Sequence, residues 1–269
     1  MCDTEHITTF PMSGYKFSLN LIREFLLFVI LVSLLFTFAF ILGNNNTLLA
    51  EVDDGFTVSL LHFDGVDAST NFIDESGKPW SAYDNAQLDT SQAKFGTASL
   101  LLDGIGDCIE TPDTDDYYLN GDFTIDFFVQ VISPPVPGQS ATFFSQYTDI
   151  NNGSFMNYYM STDNTTHVLR YILRSGGVGQ QIFYIQNMTL NPNTWYHLVL
   201  TYDGNTMTLY VNGDYKNSTN LSGNISYTNM DLYIGTSALN DFYMQGKIDD
   251  IRIYNRPLNE QEIQALYNE

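Results

Sequence analysis

The chain has 269 residues, with 10 Lys+Arg against 31 Asp+Glu, a formal net charge of -21 and a pI near 4.1, while 44% of it is hydrophobic and 14% aromatic. That apolar content excludes a disordered acidic chain, which lacks the surface to bury a core. The shortage of Lys and Arg speaks against nucleic acid, because phosphate-backbone affinity comes from clustered cations that release counterions.

The first expected element is a membrane span. Residues 25–43, FLLFVILVSLLFTFAFILG, hold 19 residues without a charge; as a helix they would be roughly 28 Å long, close to a bilayer's hydrocarbon thickness. A cleaved secretory signal is the alternative. Its apolar core is normally shorter and its cleavage site lined by small residues, whereas some 24 residues precede this core and Leu48 sits two places before Ala50. Lys16 and Arg23 precede the segment and no Lys or Arg follows until Lys78, so residues 1–24 are read as a cytoplasmic tail and the C-terminal bulk as extracellular or lumenal. Secretion after cleavage is the alternative location. Residues 51–269 carry 8 Lys+Arg and 28 Asp+Glu, net -20 of the -21.

Seven Asn-x-Ser/Thr triplets (Asn45, Asn152, Asn164, Asn187, Asn217, Asn220 and Asn224) agree with export as possible N-glycosylation sites. With 24 Asn in the chain they are only a mild excess over chance. Cys2 and Cys108 fall on opposite sides of the expected membrane and do not form a disulfide framework.

After a stalk at residues 44–54, the region 55–269 reads as one domain of short strands between Gly, Asn and Asp turns. The clearest are Val58–Phe63, Ser99–Asp103, Cys108–Thr111, Phe123–Val129, Tyr196–Tyr202, Thr206–Val211, Leu232–Gly235 and Lys247–Tyr254. Asp203-Gly-Asn and Asn212-Gly-Asp are hairpin turns. Near the C-terminus, Asn259 and Glu262 are spaced as a capping box ahead of Ile263, Leu266 and Tyr267, which predicts a short closing helix. Many strands with one terminal helix indicate an all-β sandwich.

Five stretches in order carry a more specific likeness: LLHFDG with DESGKPW, KFGTASLLLDGIGDCIETPD, GDFTIDFFV, NTWYHLVLTYDGNTMTLYVNG, and GKIDDIRIYNRPLNEQEIQALY. Together they resemble the laminin-G-like, concanavalin A-like jelly-roll family. The resemblance implies two antiparallel sheets packed face to face, with function on one concave face and its rim. It implies a binding module for carbohydrate or for a cell-surface protein, often with calcium. That family also contains enzymes, so fold alone assigns no function.

The glucanases of that family use a Glu-x-Asp-x-x-Glu strand, because glycoside hydrolysis needs two carboxylates about the scissile bond. Asp126 stands alone on its strand, and Glu110-Thr-Pro-Asp113 has the wrong spacing. A Gln-Ile-His lyase pattern fails at Gln181-Ile-Phe183. His62 and His197 read as structural strand histidines, and no nucleophile elbow surrounds any Ser. The expectation is therefore a membrane-anchored, non-catalytic adhesion or glycan-binding module; the alternatives are an unusual carbohydrate-active enzyme and a structural surface or virion component.

The resemblance also implies a structural calcium ion, held in the related glucanases between a last-strand Asp and an acidic residue near the first strand. Matched by motif, these are Asp249 and Asp64. The other reading of Asp249 and Asp250 is that they are solvated or pair with Arg252 and Lys247. Asp74, Asp103, Asp107, Asp113, Asp115 and Asp116 are further rim carboxylates, and Trp80, Tyr147, Tyr158 and Tyr159 are candidate platforms for sugar rings. Cys108 stands where the family shows an aromatic, and reads as a small buried residue.

Overall fold

The computed structural model describes residues 55–117, 121–147, 153–160, 167–175, 179–186, 188–220, 229–237 and 242–269. The expected tail, membrane span and stalk at residues 1–24, 25–43 and 44–54 lie outside the described residues. Among the described residues no helix is long and apolar enough to cross a membrane.

Residues 50–269 form one compact unit, whose described residues include fifteen strands: β1 Thr57–Leu61, β2 Ser81–Tyr83, β3 Gln87–Asp89, β4 Ser99–Asp103, β5 Cys108–Thr111, β6 Phe123–Val131, β7 Ser140–Tyr147, β8 Gly153–Met160, β9 His167–Ser175, β10 Gly179–Gln186, β11 Trp195–Tyr202, β12 Thr206–Val211, β13 Asp214–Asn220, β14 Leu232–Ile234 and β15 Gln245–Tyr254. They form two antiparallel sheets. The first runs β13-β12-β11-β6-β15-β4-β3 with β1 also on β15, and the second runs β10-β9-β8-β7-β14-β5-β2. A helix, α1 Glu260–Tyr267, closes the chain. The expected all-β two-sheet sandwich with a short C-terminal helix is thus observed.

The turns follow the sequence. Asn212 and Gly213 both take positive φ (54° and 77°), the requirement of a two-residue hairpin between β12 and β13. The Asp203 carboxylate accepts from the amides of Asn205 and Thr206 at 3.0 and 2.6 Å, and fixes the β11–β12 turn. At the head of α1, Glu262 N donates to Asn259 Oδ1 at 3.0 Å and Asn259 N donates to Glu262 Oε2 at 2.8 Å. Both halves of the expected capping box are formed.

Alternation along β6, β11 and β15 sends Phe123, Ile125, Phe127, Leu198, Leu200, Ile248, Ile251 and Ile253 between the sheets, where one apolar core joins them to Ile109, Phe144, Leu169, Tyr171 and Ile234 of the second sheet. β15 departs from strict alternation. Its register against β6 shifts between Asp249 and Arg252, and Asp250 takes φ 49°. That bulge inserts one residue, so Ile248 and Ile251 both face the core.

The other face of the first sheet is buried as well. Val199 of β11 and Tyr254 of β15 pack with Leu258 and with Ile263 and Leu266 of the closing helix. Beside them lies a charged array. Arg252 reaches Asp126 at 3.5 Å, Asp250 at 3.4 Å and Glu269 at 2.6 Å. His197 Nε2 donates to Asp126 Oδ2, and His62 Nδ1 to Asp250 Oδ1, each at 2.6 Å. His197 stacks on Phe128 at 4.5 Å and on Tyr267 at 5.9 Å. Both strand histidines are thus structural in placement, and Lys247 pairs with Asp89 rather than with its strand neighbours.

Removing the cation of a buried ion network leaves uncompensated charge, which costs about 3–5 kcal/mol. Arg252→Met is expected to lose that much stability in urea denaturation, whereas Asn259→Ala, which removes only the cap, loses about 1 kcal/mol.

Candidate functional site

α1 covers the first sheet's outer face over β11 and β15, while the outer face of the second sheet presents partly exposed side chains on β2, β5 and β14. Register sets their arrangement. Ser81 of β2, Glu110 of β5, Tyr233 of β14 and Ser145 of β7 stand in one row. Their neighbours Ala82, Ile109, Ile234 and Phe144 form the adjacent row and point into the core. Tyr83 and Cys108 are paired one pleat further along, on the outward face.

The tyrosines converge on Glu110. Tyr83 Oη donates to Glu110 Oε1 at 2.9 Å, and Tyr233 is the partner of Glu110 across the β14–β5 pair. The Glu110 hydrogen bond and charge hold the Tyr83 phenol above its ordinary range; burial and then Glu110 do the same to Tyr233. Tyr83 is 45% exposed, while Glu110 and Tyr233 are half-buried. Asp231 precedes β14 by one residue and, by alternation, shares the face of Tyr233; its Oδ1 accepts from Asp113 N at 2.9 Å.

The loop behind Tyr83 is pinned from below. Asp107, buried at 1% exposure, accepts from Asn85 N at 2.7 Å and from Asp103 N at 2.8 Å. It ties the β4–β5 hairpin to the turn after β2. Gly106 (φ 86°) lies so close to that turn that a Cβ would come within 2.5 Å of Asp84. Cys108 is buried beside Tyr83, as expected; desolvation, with Glu110 and Asp107 nearby, pushes its thiol up to about 12. This face therefore offers two phenol rings on either side of a half-buried carboxylate that accepts from Tyr83.

The carboxylates expected to hold calcium are differently engaged. Asp249 Oδ2 accepts from Lys94 N at 2.7 Å and Phe95 N at 3.1 Å, and its Oδ1 from Asp250 N at 3.0 Å. Asp64 Oδ1 accepts from Thr97 N and, at 2.9 Å, from Thr97 Oγ1. Both carboxylates hold the loop before β4. Calcium takes six to eight oxygen ligands, and in these two carboxylates three of the four oxygens already accept from N–H or O–H donors. Among the described residues no group of three or more His, Cys, Asp or Glu is placed to hold a metal.

Of the other candidates, Trp80 is 8% exposed and its Nε1 donates to Asp74 Oδ2 at 3.0 Å. It packs in the core rather than offering a platform. Asp74 is taken up by Ser59, Leu60 and Ser76 besides Trp80, and Asp116 by Lys78. Asp113 N donates to Asp231, Asp103 Oδ1 accepts from Ile105 N at 2.6 Å, and Asp115 opens a 3-10 turn. The side chains of Tyr147, Tyr158 and Tyr159 lie outside the described residues, as do Asn45, Asn152, Asn164, Asn187 and Asn224. Asn217 and Asn220 lie on β13, the edge strand of the first sheet, partly and fully exposed. Tyr83 and Tyr233 were not singled out by sequence; only the pairing of β2 and β14 with β5 brings them to Glu110.

Burial raises the Asp249 carboxyl to about 7. Because the folded state holds that proton more tightly than the unfolded chain, its contribution is complete below about pH 4 and is lost as pH rises through 7. Asp249→Asn should flatten the stability profile over that window, measured by urea midpoints at each pH; an unchanged slope would refute the assignment. Millimolar calcium is expected to leave the Tm of the wild-type chain unmoved, and a rise abolished by Asp64→Asn would reinstate the calcium pair.

Among curated proteins, none matches the chain in sequence. Solved structures match its fold. The receptor-binding domain of botulinum neurotoxin type G aligns with a TM-score of 0.59 at 17% identity, covering 79% of this chain and 51% of that one. The binding domain of botulinum neurotoxin DC aligns in two complexes. With SialylT the TM-score is 0.59 at 15% identity, covering 79% and 51%; with rat synaptotagmin II it is 0.61 at 14%, covering 80% and 51%. The chain spans about half the length of these solved chains, and at such identities the likeness is one of fold. A model of the concanavalin A-like lectin/glucanase superfamily matches residues 103–264, more than half of the chain. The protein belongs to this superfamily, in its laminin-G-like branch.

Proposed function

We propose that this protein is a non-catalytic binding module that takes carbohydrate on the outer face of its second sheet, displayed outside a membrane by residues 25–43. The observation that carries the reading is the convergence of Tyr83 and Tyr233 on Glu110. Phenol rings supply flat apolar surface for the faces of pyranose rings, and a fixed carboxylate accepts sugar hydroxyls in a defined direction. The core beneath the sheet holds this geometry before any ligand arrives, which keeps the ordering cost of binding low.

The fold neighbours support the class. One was solved with a glycan, SialylT, and one with a protein, rat synaptotagmin II, and this sandwich matches about half of each of those chains. The membrane reading is supported by the uncharged run at 25–43 and by the basic residues that precede it.

The detergent-solubilised full chain on a glycan array is the test. Retention of a defined glycan set, weakened at least tenfold by Tyr83→Ala with near-UV circular dichroism unchanged, is the expected result. Retention of no glycan, or an unaltered profile in Tyr83→Ala, would remove this face as the site. Membranes bearing the full chain should keep it through alkaline carbonate extraction, and a chain lacking residues 25–43 should be released.

A further inference from the structure

Which sugars this face accepts is governed by charge. Glu110 accepts a hydrogen bond from Tyr83 and stands opposite Tyr233, and a ligand group approaching its carboxylate must bring a donor as well. Asp231 shares the face, and its charge acts on both Tyr83 and Tyr233. Asp107 adds a third carboxylate just behind Cys108.

No described cation offsets them at close range. Lys78, in the loop before β2, is paired with Asp116. Arg170 of β9 points outward from the same sheet, since Leu169 and Tyr171 on either side of it are in the core. It hydrogen-bonds Ser140 at 3.0 Å and stands four strands from β5 in the sheet order, on the order of 19 Å away.

A carboxylated or sulfated sugar placed between the tyrosines would be repelled by Glu110 and Asp231 and would find no partner for its own charge. A protonated amine meets the reverse situation. It donates to Glu110 in a charge-assisted hydrogen bond. The excess of Asp and Glu over the whole of residues 51–269, net -20, adds a long-range field of the same sign.

We infer that the Tyr83, Glu110 and Tyr233 face selects glycans with free amino groups, of the glucosamine type, over their N-acetylated counterparts, and rejects sialylated and sulfated glycans. The inference rests on the reading of this face as a carbohydrate site. It concerns ligand class, which the fold neighbours do not fix: one of them was solved with SialylT.

The test is calorimetric titration of the full chain in detergent at pH 6 with tetramers of glucosamine and of N-acetylglucosamine, a sialylated trisaccharide, a sulfated tetrasaccharide and a tetralysine peptide. The glucosamine tetramer is expected to bind at least tenfold more tightly than the N-acetylated one, with the two anionic sugars unbound. The ratio should shrink towards unity as pH rises to 9 and the amines lose their protons. Glu110→Gln should bring the pH 6 ratio below threefold; Asp231→Asn, a second variant at the margin of the site, should narrow it too.

Equal or tighter binding of the N-acetylated, sialylated or sulfated sugar, weakened by Tyr83→Ala, overturns the charge selectivity and leaves the carbohydrate site standing. Binding of none of the sugars overturns both. Tetralysine bound more tightly than every sugar overturns both as well, and assigns the face to a basic protein segment.

Discussion

Arg252 is the charge on which the first sheet's outer layer depends. It sits on β15, the strand that β6 flanks on one side and β4 and β1 share on the other, and its guanidinium is nearly inaccessible, at 4% side-chain exposure. A cation so placed is tolerable only with anions in contact. Asp126 from β6, Asp250 from the β15 bulge and Glu269 beyond α1 supply them. One side chain thereby joins the central strands to the end of the chain. Coulombic attraction to these three carboxylates holds the Arg252 proton more firmly still, against the desolvation that would release it.

The apolar contacts around it repeat the logic. Phe95 meets Phe128 edge-on at 5.0 Å, Phe128 stacks on His197, and His197 on Tyr267. Asp249 holds the amides on either side of the Lys94–Phe95 bond, so the loop before β4, the sheet and the closing helix form a continuous layer. Over β11 and β15 the sheet face sealed in this way is unavailable to a ligand. The outer face of the second sheet carries no such helix among the described residues, and partly exposed tyrosines and a carboxylate stand on it. The asymmetry between the two faces is what locates the candidate site.

Much of this was legible in the sequence, and the exceptions are instructive. β5, β6, β11, β12 and β15 alternate or run apolar, and their turns contain Gly and Asn, so pattern alone identifies them. β13, with the sequence DYKNSTN, has no apolar face; it is a strand because β12 offers backbone partners along one edge. β2 and β3 are three residues each, too short for any period to register. The helix cap was readable because both partners lie within four residues. The Tyr83, Glu110 and Tyr233 cluster was not, since it joins residues up to 150 positions apart whose meeting is decided by strand order. Glu110 stood out in the sequence only as half of a failed catalytic spacing. The carboxylates at 64 and 249 illustrate the converse: motif matching singled them out as a pair, and the structure has both accepting from the loop before β4.

The fold neighbours bear on ligand choice only through such local differences. At 14–17% identity two sandwiches share strand order and core periodicity, while the side chains on an exposed face are free to differ, because changing them leaves the buried rows beneath undisturbed. The row Ser81, Glu110, Tyr233 and Ser145 belongs to this chain, and so does the near absence of described cations around it. Its fixed charge is also hard to reverse cheaply: Asp107, from which the β4–β5 hairpin and the turn behind Tyr83 hang, is needed for the shape of the face as well as contributing to its potential. Shape and sign are therefore coupled at this sheet edge, and a ligand that fits the tyrosines must also accept the acidity that holds them in place.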